Sequence, residues 1–156
     1  MARLALDARR GDLAGVKERL DAGDDIDQAD GVDDRTALHE AATAGQLHVI
    51  SFLLKHGATV DVPSQSGNTA LHLACWCGHS QVAQTLLQHG ANVTLTTKSG
   101  NTPLHWASKF GHIESVKILL LHGAQTGSRN QEGECPSDIA KSQGQLTVLE
   151  LLSEKQ

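Results

Sequence analysis

The sequence predicts an all-α solenoid of about five stacked helix-turn-helix units forming a single domain, and three observations predict it. Segments beginning RTALHEAATAGQLHVI at Arg35, NTALHLACWCGHSQVA at Asn68 and NTPLHWASKFGHIESV at Asn101 align at a 33-residue spacing. Glycine falls on two columns of the same period, Gly11, Gly45, Gly78, Gly111, Gly144 and Gly23, Gly57, Gly90, Gly123. Aromatic residues make up only 3% of the chain, so its core is built from Leu, Ala and Val rather than from large rings. A chain of 156 residues suits one core and is too short for two with a linker.

The elements follow in order. A first, atypical unit over 1–34 carries ALDARRGDLAGVKERLDAGDDID, displaced by one extra residue that lies between Asp27 and Thr36. Full units follow at 35–67, 68–100 and 101–133, and a degraded one, ECPSDIAKSQGQLTVLELL, falls within 134–156. Thr36, Thr69 and Thr102 stand where a helix N-cap is needed, and Pro103 sits at the first helical position, where a missing N–H costs nothing. The first helix of each unit then ends at Gly45, Gly78 or Gly111, where left-handed backbone is free of strain. The second helix carries a stripe of apolar residues, Val49, Ile50, Leu53, Leu54 in one unit, Val82, Ala83, Leu86, Leu87 in the next, then Val116, Leu119, Leu120. Helices this short are marginal alone, so stacking must hold them. Ala41, Ala74 and Ala107 let paired helices approach closely. The end units read as caps. Arg9, Arg10, Lys17, Glu18 and Arg19 place charge at the front, and in the last unit Cys135 replaces the Thr and Asp138 the His.

Composition excludes several functions. Charged residues at 20% and hydrophobics at 39% lie far from disordered and membrane chains. No apolar run reaches the ~18 residues of a spanning helix, so no membrane insertion is expected. A net charge of -5 argues against unspecific nucleic-acid binding, and no specific nucleic acid is expected as partner. The three cysteines, an odd number, together with an N-terminus that reads as neither a secretory nor an organellar signal, predict a reducing, cytoplasmic or nuclear setting.

The T-[AP]-L-H motif, followed by a glycine and then by LLxHGA at constant period, resembles the ankyrin repeat over essentially the whole chain. The resemblance implies antiparallel helix pairs in a slightly curved array, with β-hairpin fingers along one edge. It implies hydrogen bonds from the motif histidines His39, His72 and His105 to the neighbouring Thr and finger. It also implies a non-enzymatic interaction module, a scaffold or adaptor that is monomeric on its own. Such a module binds another protein through its fingers and the exposed end of its first helices. Carried onto this chain, those positions are Asp33, Asp34 and Arg35; Gln65, Ser66, Asn68, Trp76 and Cys77; Lys98, Ser99, Asn101, Lys109 and Phe110; and Arg129.

Chemistry is scarce beside this. Of nine histidines only His48 lies off the repeating columns. In the cluster of His72, Cys75, Cys77 and His79, the spacing lets His72, Cys75 and His79 share a helix face and a soft metal, but Cys75 occupies the small-residue column of Ala42 and Ser108, which predicts burial, and Cys77 lies on a different face. No nucleophile, base and oxyanion site converge, and the glycines punctuate helices rather than cradle phosphate. No catalytic, metal-binding or cofactor-binding residue is assigned. Trp76 and Phe110 are large rings at positions the repeat leaves free, flanked by Lys98 and Lys109, and read as interface anchors. Trp106 aligns with Leu73 and Glu40 and reads as packing. Two alternatives remain: a methyl-lysine reader built from Trp76, Trp106 and Phe110, which needs ring faces around one point, and a regulatory subunit or domain of a larger enzyme or channel assembly.

Overall fold

The structure, a computed structural model, describes residues 3–154. The outermost residues of the predicted first and last units, 1–2 and 155–156, lie outside the described residues. Among the described residues ten helices follow one another as pairs: α1 (Arg3–Arg10) with α2 (Leu13–Asp21), α3 (Ala37–Ala44) with α4 (Leu47–Lys55), α5 (Ala70–Cys77) with α6 (Ser80–Gln88), α7 (Pro103–Phe110) with α8 (Ile113–Leu121), and α9 (Pro136–Ser142) with α10 (Leu146–Ser153). The first helices pack in one row, α1 on α3 on α5 on α7 on α9, and the second helices in another. One continuous core runs between the rows, from Leu4 and Val16 through Ile50, Leu71, Leu86 and Leu104 to Val148 and Leu152. The predicted stripe is buried except at Leu54 and Leu120, which are half-buried.

The N-caps are those expected, and each motif histidine completes a capping box. The Thr36 backbone N–H donates to His39 Nδ1 at 3.1 Å, so Nε2 carries the proton and donates to the Asn68 carbonyl, 2.9 Å away in the next unit. The same pair of bonds recurs at His72, reaching Asn101 O at 3.1 Å, and at His105, reaching Glu134 O at 3.1 Å. One ring thus caps its own helix and ties it to its successor. In the last unit Asp138 takes the place of the ring, accepting from the Cys135 N–H at 3.0 Å. A carboxylate cannot donate onward, and no further finger carbonyl follows among the described residues to ask for a donor.

A second bond joins each unit to the one before. His79 Nε2 donates to Thr43 O at 3.1 Å and His112 Nε2 to Trp76 O at 3.0 Å. Gln46 and Gln145 do the same for Arg9 O and Lys109 O, at 3.2 and 3.5 Å. These carbonyls end first helices and lack intrahelical partners. The glycine that ends each first helix reached in this way, Gly11, Gly45, Gly78 or Gly111, therefore has two reasons to be glycine. Gly45 has φ of 71°, and a Cβ there would lie 2.7 Å from the His79 ring.

The fingers are shorter than full hairpins. The described residues contain no sheet, and a single antiparallel bridge joins Asp30 and Arg35. The others are tight turns closed by Ser64 N–H to Asn68 O, Thr97 N–H to Asn101 O and Asn130 N–H to Glu134 O, at 2.8, 2.9 and 3.0 Å. Each has a glycine of positive φ before its last residue, Gly67, Gly100 and Gly133. The first finger contains the extra residue, and Asp34, with φ of 48°, stands in that glycine column.

Candidate partner-binding surface

The fingers are joined edge to edge. Gln65 N–H donates to Asp33 O at 2.7 Å, Lys98 N–H to Ser66 O at 3.0 Å and Gln131 N–H to Ser99 O at 3.0 Å. The predicted finger residues Asp33, Gln65, Ser66, Lys98 and Ser99 therefore stand in one row along the array. Side chains reinforce its first step. Ser66 N–H and Oγ–H donate to the two Asp33 carboxylate oxygens at 2.7 and 3.0 Å. Burial pulls that carboxyl up, but the Ser66 donors and the Arg35 guanidinium together hold it below the usual range.

Arg35 is less free than a contact residue would be. Its Nε lies 3.1 Å from Asp33 Oδ2 and its Nη1 3.8 Å from Glu40 Oε1. Glu40 also receives Arg9 Nη1 at 3.3 Å. The nearly buried Glu40 carboxylate thus sits between two arginines at the front end of the row. Sequence reasoning passed over it, although a charge in the column of Leu73, Trp106 and Ile139 was the available signal. Arg129 is likewise engaged, donating to Gly133 O and lying 3.6 Å from Asp138 Oδ2. Asn68 departs furthest from an open contact: it is 8% exposed, pinned under its finger by a 2.8 Å bond from Nδ2 to Ser66 Oγ. Its role is to support the turn. Asn101 is half-buried and accepts from Asn130 Nδ2 at 3.0 Å. Asp34, Lys98 and Ser99 are exposed, and Cys77 is half-buried.

The first helices bring the rings together. Trp76 is 42% exposed and Phe110 39%, with centroids 5.5 Å apart. Trp106 joins them, 4.3 Å from Trp76 and 6.5 Å from Phe110, so the residue read as packing is also one end of an aromatic shelf with Trp76 in its middle. The ring planes differ by 38°, 32° and 19°, an overlapping arrangement rather than walls around a point. Lys109 Nζ lies over this shelf, 5.5 Å from the Trp106 centroid and 5.9 Å from that of Phe110. The chain's own ammonium therefore takes the cation–π position that a methyl-lysine would need. Clefts open on both sides of the shelf. One, of about 160 Å³, is lined by Arg35, Thr43, Leu73, Trp76 and Cys77; the other, of about 360 Å³, by Ser99, Trp106, Lys109, Glu132, Glu134 and Ser142.

The soft-ligand cluster is taken up by the scaffold. Cys75 is wholly buried, as its small-residue column predicts, and burial pushes its thiol far above the usual range. Burial also lowers His72 to about 4, against weaker opposing pulls from the Asn101 and Leu95 carbonyls, so the ring is neutral at pH 7 with both nitrogens hydrogen-bonded. Burial lowers His39 and His105 in the same way. Among the described residues no three His, Cys, Asp or Glu side chains converge to hold a metal ion, and no helix is long and apolar enough to cross a membrane.

A family model for ankyrin repeats in three copies matches residues 4–97, and one for ankyrin repeats in many copies matches 81–120. The chain belongs to the ankyrin-repeat family. Ankyrin repeats are interaction modules for proteins and typically carry no catalysis. Over 66 residues, 42% of its length, the chain is 44% identical to serine/threonine-protein kinase 12 of Arabidopsis thaliana. That stretch is only 14% of the kinase.

Proposed function

We propose that this ankyrin-repeat chain is a non-enzymatic scaffold or adaptor of the cytoplasm or nucleus, monomeric on its own. It binds a segment of another protein along the face made by its fingers and first helices. The observation that carries this reading is the aromatic shelf of Trp76, Trp106 and Phe110, half-open to solvent between two clefts. Large rings in the open are unfavourable unless something covers them, and they are the side chains on which interfaces concentrate their energy. The stacked fingers support the reading because a row fixed by backbone bonds presents its side chains with little ordering left to do on binding.

Affinity purification from the native cell, with the Trp76→Ala/Phe110→Ala double variant as control, identifies the partner. Titration of that partner then tests the surface. Each single change is expected to weaken binding by about 2 kcal/mol or more. Gln88→Ala and Lys117→Ala on the second helices are expected to leave binding unchanged. A sharp fall in the melting temperature of Trp76→Ala with binding intact would make the ring scaffold and remove the assignment.

A second reading draws on the relationship to the kinase: the array serves as a regulatory part of a larger enzyme assembly. An endogenous polypeptide larger than 156 residues on immunoblot, or a kinase co-purifying in fixed proportion, is the outcome expected of that reading.

A further inference from the structure

The positive side chains on the binding face fall into two groups. Arg9, Arg35 and Arg129 each face a carboxylate of this chain, Glu40, Asp33 or Asp138. Lys98 and Lys109 have no ion pair among the described residues; the first stands on the finger row and the second lies over the rings. Glu132 and Glu134 also lack an ion pair there, and they line the far side of the cleft that begins at Trp106 and Lys109. The front of the face carries these internal pairs and the exposed Asp34, its middle is aromatic with two unmatched cations, and its back carries two unmatched anions.

We infer that the partner is a peptide segment in which an apolar or aromatic residue lies beside an acidic one, with a basic residue farther along. The inference rests on the binding face proposed above and names the chemistry of its occupant. The apolar side chain lies on the Trp76–Phe110 edge of the shelf, the carboxylate meets Lys98 and Lys109, and the basic group enters the cleft toward Glu132 and Glu134. Lys109 serves in both places: held over two ring faces, its ammonium is already positioned for an anion and needs no rearrangement to accept one. Reversing the segment sets like charges together at both ends, so the charge order fixes its direction along the array.

A random peptide library displayed on phage and panned against the full chain tests this, with parallel panning against Trp76→Ala, Lys98→Glu/Lys109→Glu and Glu132→Lys/Glu134→Lys. Thermal melting first confirms that each variant folds. The wild-type chain is expected to enrich the apolar–acidic–basic order and to lose that enrichment in Trp76→Ala. The lysine variant is expected to bind a resynthesised wild-type peptide about tenfold more weakly, and to select a basic residue where the acidic one stood. The glutamate variant reverses the other position. Peptides that need Trp76 yet are indifferent to both charge reversals would overturn the inference and leave the binding face standing. Enriched peptides indifferent to Trp76 would overturn the binding face itself.

Discussion

At the scale of single residues, the glycine-flanking column is the clearest example of different side chains serving one purpose. Gln46, His79, His112 and Gln145 share only an N–H at the right reach, and each gives it to a first-helix carbonyl of the preceding unit. His79→Gln is therefore expected to keep nearly all stability, while His79→Ala loses about 1 kcal/mol by leaving the Thr43 carbonyl without a partner. Urea unfolding of both variants checks this, and equal losses would show that the imidazole ring itself is required. Asp34 offers the converse case. Its left-handed backbone carries a steric cost of about 1 kcal/mol that glycine lacks. Asp34→Gly is expected to raise the melting temperature by about 2–4 °C, the usual response of a domain this size. Much of this was legible in the sequence, because columns that repeat announce themselves: the caps, the glycine stops and the buried Cys75 all follow from register. Glu40 and Arg35 were not legible. Arg35 reaches Glu40 from within the same unit, but Arg9 lies in the preceding one, and only three-dimensional stacking sets it against that carboxylate.

At the scale of helices, stability depends on neighbours. Leu86 in α6 and Leu152 in α10 are both wholly buried, yet α6 packs against α5 and between α4 and α8, whereas α10 packs mainly on α8 and α9 among the described helices. Leu86→Ala is expected to cost about 2–5 kcal/mol across the array, since its cavity opens between units that hold each other. Leu152→Ala should instead loosen the last pair alone. Hydrogen exchange resolves the two: global loss of protection for the first, loss confined to α9 and α10 for the second. The same protection loss in both would show that the array unfolds as one cooperative block. Helix periodicity made these elements legible from Thr36 to Leu121. The shelf was only half legible, because the period places Trp76 and Phe110 on free positions but says nothing of how Trp106 inclines toward them.

At the scale of the molecule, three buried neutral rings tie the units together, so protonating any one of them unlinks two neighbours. Burial holds His39, His72 and His105 below the ordinary histidine value of 6.5, with His72 at about 4. The unfolded chain then takes up these protons first as pH falls. Their contribution is complete above about pH 6.5 and declines from there toward each folded value, at about 1.4 kcal/mol per pH unit per ring while only the unfolded form is protonated. Asp33 and Asp138, held below 3.8, join only at lower pH. The urea midpoint is therefore expected to fall steadily from pH 6.5 to 5, and a flat midpoint there would mean that the rings are not held neutral. These same bonds also have a direction. His39 needs Asn68, His72 needs Asn101 and His105 needs Glu134, so each donor precedes its acceptor along the chain. A polypeptide leaving the ribosome N-terminus first makes every ring before the carbonyl that will receive it. Each unit must wait for the finger of the next before its own capping ring is satisfied, so native closure trails synthesis by one repeat until Asp138, which asks nothing of what comes after, lets the series end.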